Sequence, residues 1–423
     1  MQRRFTDATL YTRGKLSKGG VALSQGRVVD FSSPAQGDGV PRVTPLNGKL
    51  LIPGLVDVHV HLREPGFSYK ETIAAGSRAG ARGGYTALCA MPNLNPAPDS
   101  LEHVKVQQDI IDRDACIRVY PYASITLGQK GRGGLVDFAA LAPKVVAFSD
   151  DGRGVQDEEA MREAMGRVKA VNGLLVAHCE DESLLEGGYI HKGSYARAHG
   201  HRGISSESEW RQVQRDLALA RETGCRYHVC HVSTKESVAL IRRAKREGVD
   251  VSCETAPHYL LLQEDWLQED GNWKMNPPIR EEADRMALLE GLSDGTVDII
   301  ATDHAPHSAQ EKSGGLEGSA NGIVGLECAF AVLYTGLVKA GKLPLERLLA
   351  AMTDAPRRRF GLPPVTLEPG QSADIAIFDL GAKGTVNPEE FASLGRATPF
   401  AGMEVWGRCE CTLVEGEEVW LRR

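Results

Sequence analysis

The sequence predicts an α/β fold: a closed parallel (β/α)8 TIM barrel with a small β-sandwich domain built from both chain ends. Three observations predict it. Short apolar runs begin near Leu51, Tyr85, Arg118, Val145, Leu174, Tyr227, Val251 and Ile299, and helical patterns lie between most of them. Nearly every run starts apolar and finishes in His, Asp or Asn. The two chain ends, in contrast to this alternating middle, read as strands alone.

The elements follow in order. Residues 1–52 hold "FTDATLY", "GGVALSQGRVVDFSS" and "VTPLNGKLLIP", punctuated by Gly, Asn and Pro. Residues 363–423 hold "SADIAIFDL" and "MEVWGRCECTLVEGEEVWL", the second half of the same β domain. Residues 53–362 form the expected barrel. Its strands alternate with helical stretches such as "SYKETIAAGSRAGARGG", "DEEAMREAMGRVKAVNG" and "SEWRQVQRDLALARETG", each closed by a glycine suited to the residue after a helix. The competitor, an open doubly wound sheet, usually carries a Gly-rich phosphate loop after its first strand, and "HLREPGFS" is not one.

Composition narrows the function classes. The 423 residues are 42% hydrophobic and 25% charged, ample for one large domain and a smaller one. A net charge of -7 implies no polyanion-binding surface. Nine cysteines, odd in number and without a C-x-x-C pair, argue against a disulfide framework and a thiolate zinc site. They are expected to be inert buried residues. The start "MQRRFTDATLYTRGK" has no long apolar stretch, and no run is long enough to span a bilayer, so a cytoplasmic setting is expected.

The chemistry gathers at the strand ends. In "DVHVHLREPG", Asp57, His59, His61 and Arg63 share one face, because side chains alternate along a strand. Two histidines at i and i+2 can aim both rings at one metal ion. Alone, such a pair is as readily two core histidines bonded to carbonyls. Further strand ends add Asp150 and Asp151 in "FSDDG", His178 in "AHCED", His231 in "CHVST", and Asp303, His304 and His307 in "TDHAPH". Barrel active sites lie at these C-terminal strand ends. Collecting four imidazoles and two carboxylates there without a cation is costly. Six ligands suit a pair of ions sharing a bridging carboxylate, and hence hydrolysis at carbon or phosphorus, or its reverse. Asp57 is expected to support the ligands by hydrogen bonding rather than to bind metal.

Together "DVHVHLREPG", "AMPN", "FSDDG", "HCED", "HVS", "MNPPIR" and "ATDHAPH" resemble, in order and over essentially the whole chain, the bacterial type I dihydroorotases of the cyclic amidohydrolase superfamily. The resemblance implies two zinc ions per subunit. His59 and His61 would hold the first, His178 and His231 the second. Asp151 would bridge them, with Asp150 the alternative, since neighbours on a strand face opposite ways. Asp303 would bind the first zinc and act as general acid/base. Arg63, Asn93 and Asn276 would bind substrate, with further contacts from His61 and His307. The segment "HSAQEKSGGLEGSANGIVGLE" resembles the family's mobile active-site loop and would offer backbone contacts near Asn321 and Gly322. Asn321 stands where an aromatic residue is usual, so only the backbone role carries over. Many relatives bridge their metals with a carboxylated lysine at the end of strand four. Here that strand ends without one, and Lys144 precedes it.

The resemblance further implies reversible cyclisation of N-carbamoyl-L-aspartate to L-dihydroorotate plus water, the third step of de novo pyrimidine biosynthesis, through a zinc-activated hydroxide. It implies a homodimer and leaves room for association with aspartate transcarbamoylase. Arg63 matches a carboxylate bidentately, which favours a ring bearing one. An allantoinase or hydantoinase is the alternative enzyme. A non-catalytic scaffold for aspartate transcarbamoylase is the alternative outside catalysis. His258 is expected to support the site or the fold, and His304 to be structural. His103, His191, His199, His201 and His228 are expected at the surface or in packing. Glu64 and Glu71 are expected to orient neighbours or to cap.

Overall fold

The computed structural model describes residues 2–32 and 42–422. Met1, residues 33–41 and Arg423 lie outside the described residues, and with them Ser33 of the second expected strand stretch and the extreme ends of the two terminal segments.

Strand Leu50–Pro53 joins the two chain ends. It pairs in parallel with Arg3–Thr12 and antiparallel with Ile375–Thr385. Beyond these partners the sheet continues through Lys15–Ser24 and Arg27–Val29 on one side, and through Glu404–Val414 and Glu417–Leu421 on the other. Period-two alternation explains why this strand is apolar throughout. Leu51 packs with Phe5, Val21, Ile375, Ile377 and Leu413 in a core of the sheet-rich unit. Leu50 and Ile52 face the other way, into the main core with Tyr11, Ala376 and Phe378. Each such leucine or isoleucine contributes about 1.5–3 kcal/mol through burial. The sequence expects a sandwich here. The hydrogen bonding links these strands, with Arg42–Pro45 beside Arg3–Thr12 as the eighth, into one continuous sheet, because Leu50–Pro53 has partners on both edges.

The middle of the chain alternates as expected. Strands Leu55–Val60, Tyr85–Ala90 and Arg118–Pro121 pair in parallel. Strands Leu175–Ala177, Tyr227–Val229, Val251–Thr255 and Ile299–Ile300 form a second parallel set. Phe148 bridges the sets, pairing with Ala123 on one side and Leu175 on the other, while His304 pairs back to Val60. Eight segments thus pair in succession and the last returns to the first. The expected fourth strand is reduced to little more than Phe148 as regular pairing. Even so, Val146 and Ser149 donate to Pro121 and Ala123, and Phe148 donates to Leu174.

Helices Ile73–Gly83, Glu158–Ala170 and Glu207–Thr223 fall where the periodicity places them. Thr72 and Asp157 cap the first two by accepting the amides of Ala75 and Ala160. Gly84 and Gly224 end two of them at φ +91° and +66°, a conformation that costs glycine little.

The strands leave regular geometry where they meet the site. Arg63, His231 and Asp303 have φ of +59°, +31° and +50°. Left-handed backbone at non-glycine residues is unfavourable and concentrates at functional sites. Here it turns these side chains into a common cavity.

Candidate metal centre and substrate pocket

Strand Leu55–Val60 is buried along its length, so each polar group on it needs a partner. The Asp57 carboxylate accepts the His59 amide at 3.0 Å and the Thr302 amide at 3.0 Å. Burial pushes this carboxyl up to about 7, against the pull of those hydrogen bonds. Asp57 therefore ties the backbone of the first strand to the eighth and lies apart from the cavity.

His59 lies beneath the cavity, fully buried. Its Nδ1 is 2.6 Å from Glu254 Oε1. Its Nε2 has no hydrogen-bond partner and stands 3.3 Å from Asp151 Oδ1 and 3.5 Å from Asp303 Oδ1. His61 Nε2 is 3.1 Å from Asp303 Oδ1 and 3.4 Å from Asp151 Oδ2, and its Nδ1 meets Asn93 Oδ1 at 2.8 Å. His178 Nδ1 lies 2.9 Å from His231 Nε2, and both face Asp151, at 3.6 and 3.2 Å. Four imidazoles thus converge on one carboxylate. Two donor sets, His59–His61–Asp151 and Asp151–His178–His231, share it, with the ligand atoms of each within 4.8 Å of one another.

The electrostatics agree with a site for cations. Burial raises the Asp151 carboxyl, but the His59 charge and hydrogen bonds from His178 and His231 overturn that and hold it well below the usual range. Asp303 behaves alike: burial opposes ionisation, and the hydrogen bond from His61 with the charges of His59 and His61 bring it to about 2. Both are therefore carboxylates at neutral pH. Asp150 faces away. Its oxygens accept the amides of Ile125, Thr126 and Gly131 and the Thr126 hydroxyl, which holds the loop after the third strand.

A cavity of about 200 Å³ opens above these groups. Its walls include His61, Arg63, Asn93, Asp151, His178, His231, Asn276, Asp303, His307, Asn321 and Gly322. Among the sequence-predicted site residues, only His59 is outside that lining. Arg63 is 7% exposed, donates to Pro306 O at 3.2 Å, and has no carboxylate ion-pair partner among the described residues. Burial lowers it to about 10, so it remains a cation at neutral pH. Asn276 Nδ2 donates to Glu180 Oε1 at 2.8 Å, while its Oδ1 is buried and unpartnered. Burial, Arg63 and Lys70 push His307 down to about 3. As a neutral ring, His307 places Nε2 2.8 Å from Asn321 O and Nδ1 3.3 Å from Lys70 Nζ.

Several residues have parts that sequence reading did not assign. Glu254, fully buried, meets His59 on one oxygen and His228 Nε2 at 3.1 Å on the other. His228 is thus more than packing: it continues a buried line from Ser252 through Glu254 to His59. Glu180 lies 3.5 Å from His178 Nε2 while holding Asn276. The available signal was alternation: Ser252 and Glu254 share a face, as do His178 and Glu180. His258 is buried outside the cavity lining, with Nε2 unpartnered. His304 packs against Glu71 and Ser393, as a structural residue would. Glu71 itself is fully buried, accepting Ser393 Oγ and the Leu394 amide, and Glu64 caps helix Ile73–Gly83 through the Ile73 amide. All nine cysteines are free.

The donor set is nitrogen and oxygen, with ring nitrogens left unpartnered and backed by carboxylates, which fits a divalent metal cofactor. Comparison with known proteins agrees. A family model described as dihydro-orotase-like matches residues 48–237, and an amidohydrolase-family model matches residues 209–420. A dihydroorotase of Geobacillus thermodenitrificans is 52% identical over 380 residues, 89% of each chain. One of Listeria monocytogenes serovar 1/2a is 48% identical over 419 residues, 97% of this chain and 96% of its own. The structure of L-hydantoinase (dihydropyrimidinase) from Arthrobacter aurescens superposes with a TM-score of 0.89 at 26% identity, over 100% of this chain and 96% of that one. With sequence likeness near half over almost its full length, the chain belongs to the dihydroorotase family.

Proposed function

We propose that this protein interconverts N-carbamoyl-L-aspartate and L-dihydroorotate with two zinc ions per subunit, as a step of pyrimidine synthesis. The observation that carries the reading is Arg63: a buried guanidinium without a carboxylate ion-pair partner among the described residues, on the wall of the cavity that Asp151 and Asp303 also line. Burying such a charge is costly unless a ligand pairs with it, and a planar guanidinium matches a carboxylate. Carbamoyl aspartate and dihydroorotate each supply one. Asn93 and Asn276 complete the clamp with neutral donors and acceptors.

His59 and His61 would hold one zinc and His178 and His231 the other, with the Asp151 carboxylate shared by the two donor sets. When bound, the ions supply an activated water and polarise the carbonyl. Asp303, ionised in the cavity, takes the water's proton during ring opening and delivers it to the departing ring nitrogen. In ring closure it removes the proton from the ureido nitrogen. Glu254 fixes the ring of His59 and thereby the direction of its Nε2. The parallel ring of eight segments supports reading residues 53–362 as a (β/α)8 barrel, with 1–52 and 363–423 forming the sheet-rich domain. Nine free cysteines suit a reducing cytoplasm. No helix among the described residues is long and apolar enough to cross a membrane. A homodimer belongs to the same reading, and association with aspartate transcarbamoylase is compatible with it.

The deciding assay offers dihydroorotate, carbamoyl aspartate, hydantoin and allantoin to one sample whose metal content is measured. Turnover of the first two and not the last two is expected. Zinc-loaded protein inert toward both would return the scaffold reading. Arg63→Met is expected to raise KM for dihydroorotate by about 100-fold or more, since removing one partner of a buried charge pair costs about 2–5 kcal/mol. Unchanged kinetics would mean the carboxylate sits elsewhere. Glu254→Gln is expected to weaken metal affinity by about 10- to 100-fold, measured by competition with a chelating indicator. Wild-type affinity would reduce Glu254 to a packing residue.

A further inference from the structure

Lys312 ends the short turn Gln310–Lys312 and is 7% exposed. Its Nζ lies 2.9 Å from Lys274 O, 2.8 Å from Ala320 O and 2.7 Å from Gly322 O. An ammonium has three N–H donors and accepts nothing, so all of its donors go to backbone carbonyls. No carboxylate pairs with it among the described residues. The three carbonyls come from two segments far apart in sequence. Lys274 lies two residues before Asn276, while Ala320 and Gly322 flank Asn321, and Asn276, Asn321 and Gly322 all line the cavity.

We infer that Lys312 is a positioning residue, whose ammonium group pins the 312–322 segment against Lys274–Asn276 and so fixes the distance between two walls of the substrate cavity. As a statement about substrate binding it rests on the dihydroorotase reading. As a statement about the loop it does not. The backbone itself takes part in the closure. The Gly322 amide donates to Lys274 O at 3.1 Å. Gly322 has φ +135°, and a Cβ there would stand 2.6 Å from Ala305 O, so the chain passes too close for any side chain. Two other cations hold the segment and the residue before it: Lys274 Nζ donates to Glu317 O at 2.7 Å, and Lys70 pairs with Glu311 at 2.8 Å. Of these three lysines, Lys312 is the one that holds the inner edge, beside the Gly322 amide and the His307 contact to Asn321 O.

A buried ammonium is an expensive brace. Burial and then the Lys274 charge push it down to about 7, with Asp270 pulling the other way. A methionine of similar length would fill the space without that cost, but would leave Ala320 O and Gly322 O without this donor and Lys274 O with the Gly322 amide alone. The arrangement is therefore explained by geometry that the ammonium imposes and that an apolar side chain cannot.

The test is Lys312→Met in the full-length, metal-loaded protein. Amide hydrogen exchange at residues 320–322, measured without substrate, is expected to speed up by about tenfold or more as local opening becomes easier. KM for dihydroorotate is expected to rise by about tenfold or more while kcat changes much less, because small displacements of binding groups are costly. Unchanged exchange overturns the clamp. Faster exchange with unchanged KM, or a fall in kcat alone, overturns the positioning role. If Lys312→Met does not fold, Lys312→Gln, with two N–H donors, carries the same readouts. Wild-type protein that fails to turn over dihydroorotate overturns the proposed function, while the exchange measurement still decides the clamp.

Discussion

Asp303→Asn is expected to lower kcat by about 10³-fold or more in both directions while leaving most of the substrate affinity in place. The substitution keeps the shape of the side chain and one oxygen, and removes the capacity to take a proton. General acid–base groups typically contribute about 10²–10⁴-fold. Asp303 stands at the upper end for structural reasons. It is on the cavity wall, 3.1 Å from His61 Nε2, and its left-handed backbone aims it there. Held at about 2, it is wholly a carboxylate at neutral pH. Among the described residues the other nearby carboxylates are engaged elsewhere: Asp151 faces four histidines, Asp150 is saturated by amides, Glu254 is held between two histidines, and Glu180 is engaged with Asn276. The measurement is kcat with dihydroorotate and with carbamoyl aspartate at saturation, beside metal content. A kcat within about tenfold of wild type, with metal retained, would assign the proton transfer to another group.

Asp151→Ala is expected to abolish turnover for a different reason, by dismantling the metal centre. This carboxylate is the common member of both donor sets and, among the described residues, the only acidic group facing all four of His59, His61, His178 and His231 within 3.6 Å. Removing it leaves the four imidazoles with no shared anion, and a second cation, where two bind, would meet the repulsion of the first with less compensation. Metal content should fall below that of wild type, and kcat/KM by about 10³-fold or more, as expected for losing several kcal/mol of charge stabilisation. Extraction of wild-type protein with a chelator should give the same loss, and divalent zinc should restore activity to the wild type but not to the variant. Full activity after exhaustive extraction, with no metal detectable, would overturn the metal-centred chemistry for both.

Much of this was legible in the residues. Alternation put His59, His61 and Arg63 on one face, and the backbone alternation that makes a strand is local, so no distant contact was needed to see it. The same holds for helix ends: Gly224, which closes "SEWRQVQRDLALARETG", acts as terminator within a few residues of itself. The concentration of His178, His231 and Asp303 at strand ends pointed to one locus, because parallel strands joined by helices deliver all their C-terminal ends to one face.

What a local pattern could not decide, tertiary structure did. Asp150 and Asp151 are adjacent and alike in sequence. Their roles separate only because Ile125, Thr126 and Gly131 offer amides to one, and histidines from three other strands surround the second. His228, expected at the surface or in packing, and Glu254, to which the sequence assigned no part, are joined to the site only by His59, nearly two hundred residues before Glu254. Lys312 lay in a stretch whose polar composition suggests open surface, and it is buried because three carbonyls from two separate segments meet around it. The sequence by itself determined the alternating architecture, the candidate ligand types and the family. Which carboxylate faces the ligands, what holds them, and how the walls are kept apart depend on long-range pairings. Those arise from closure of the chain, since hydrogen bonds and charges act across space without regard to separation along the sequence.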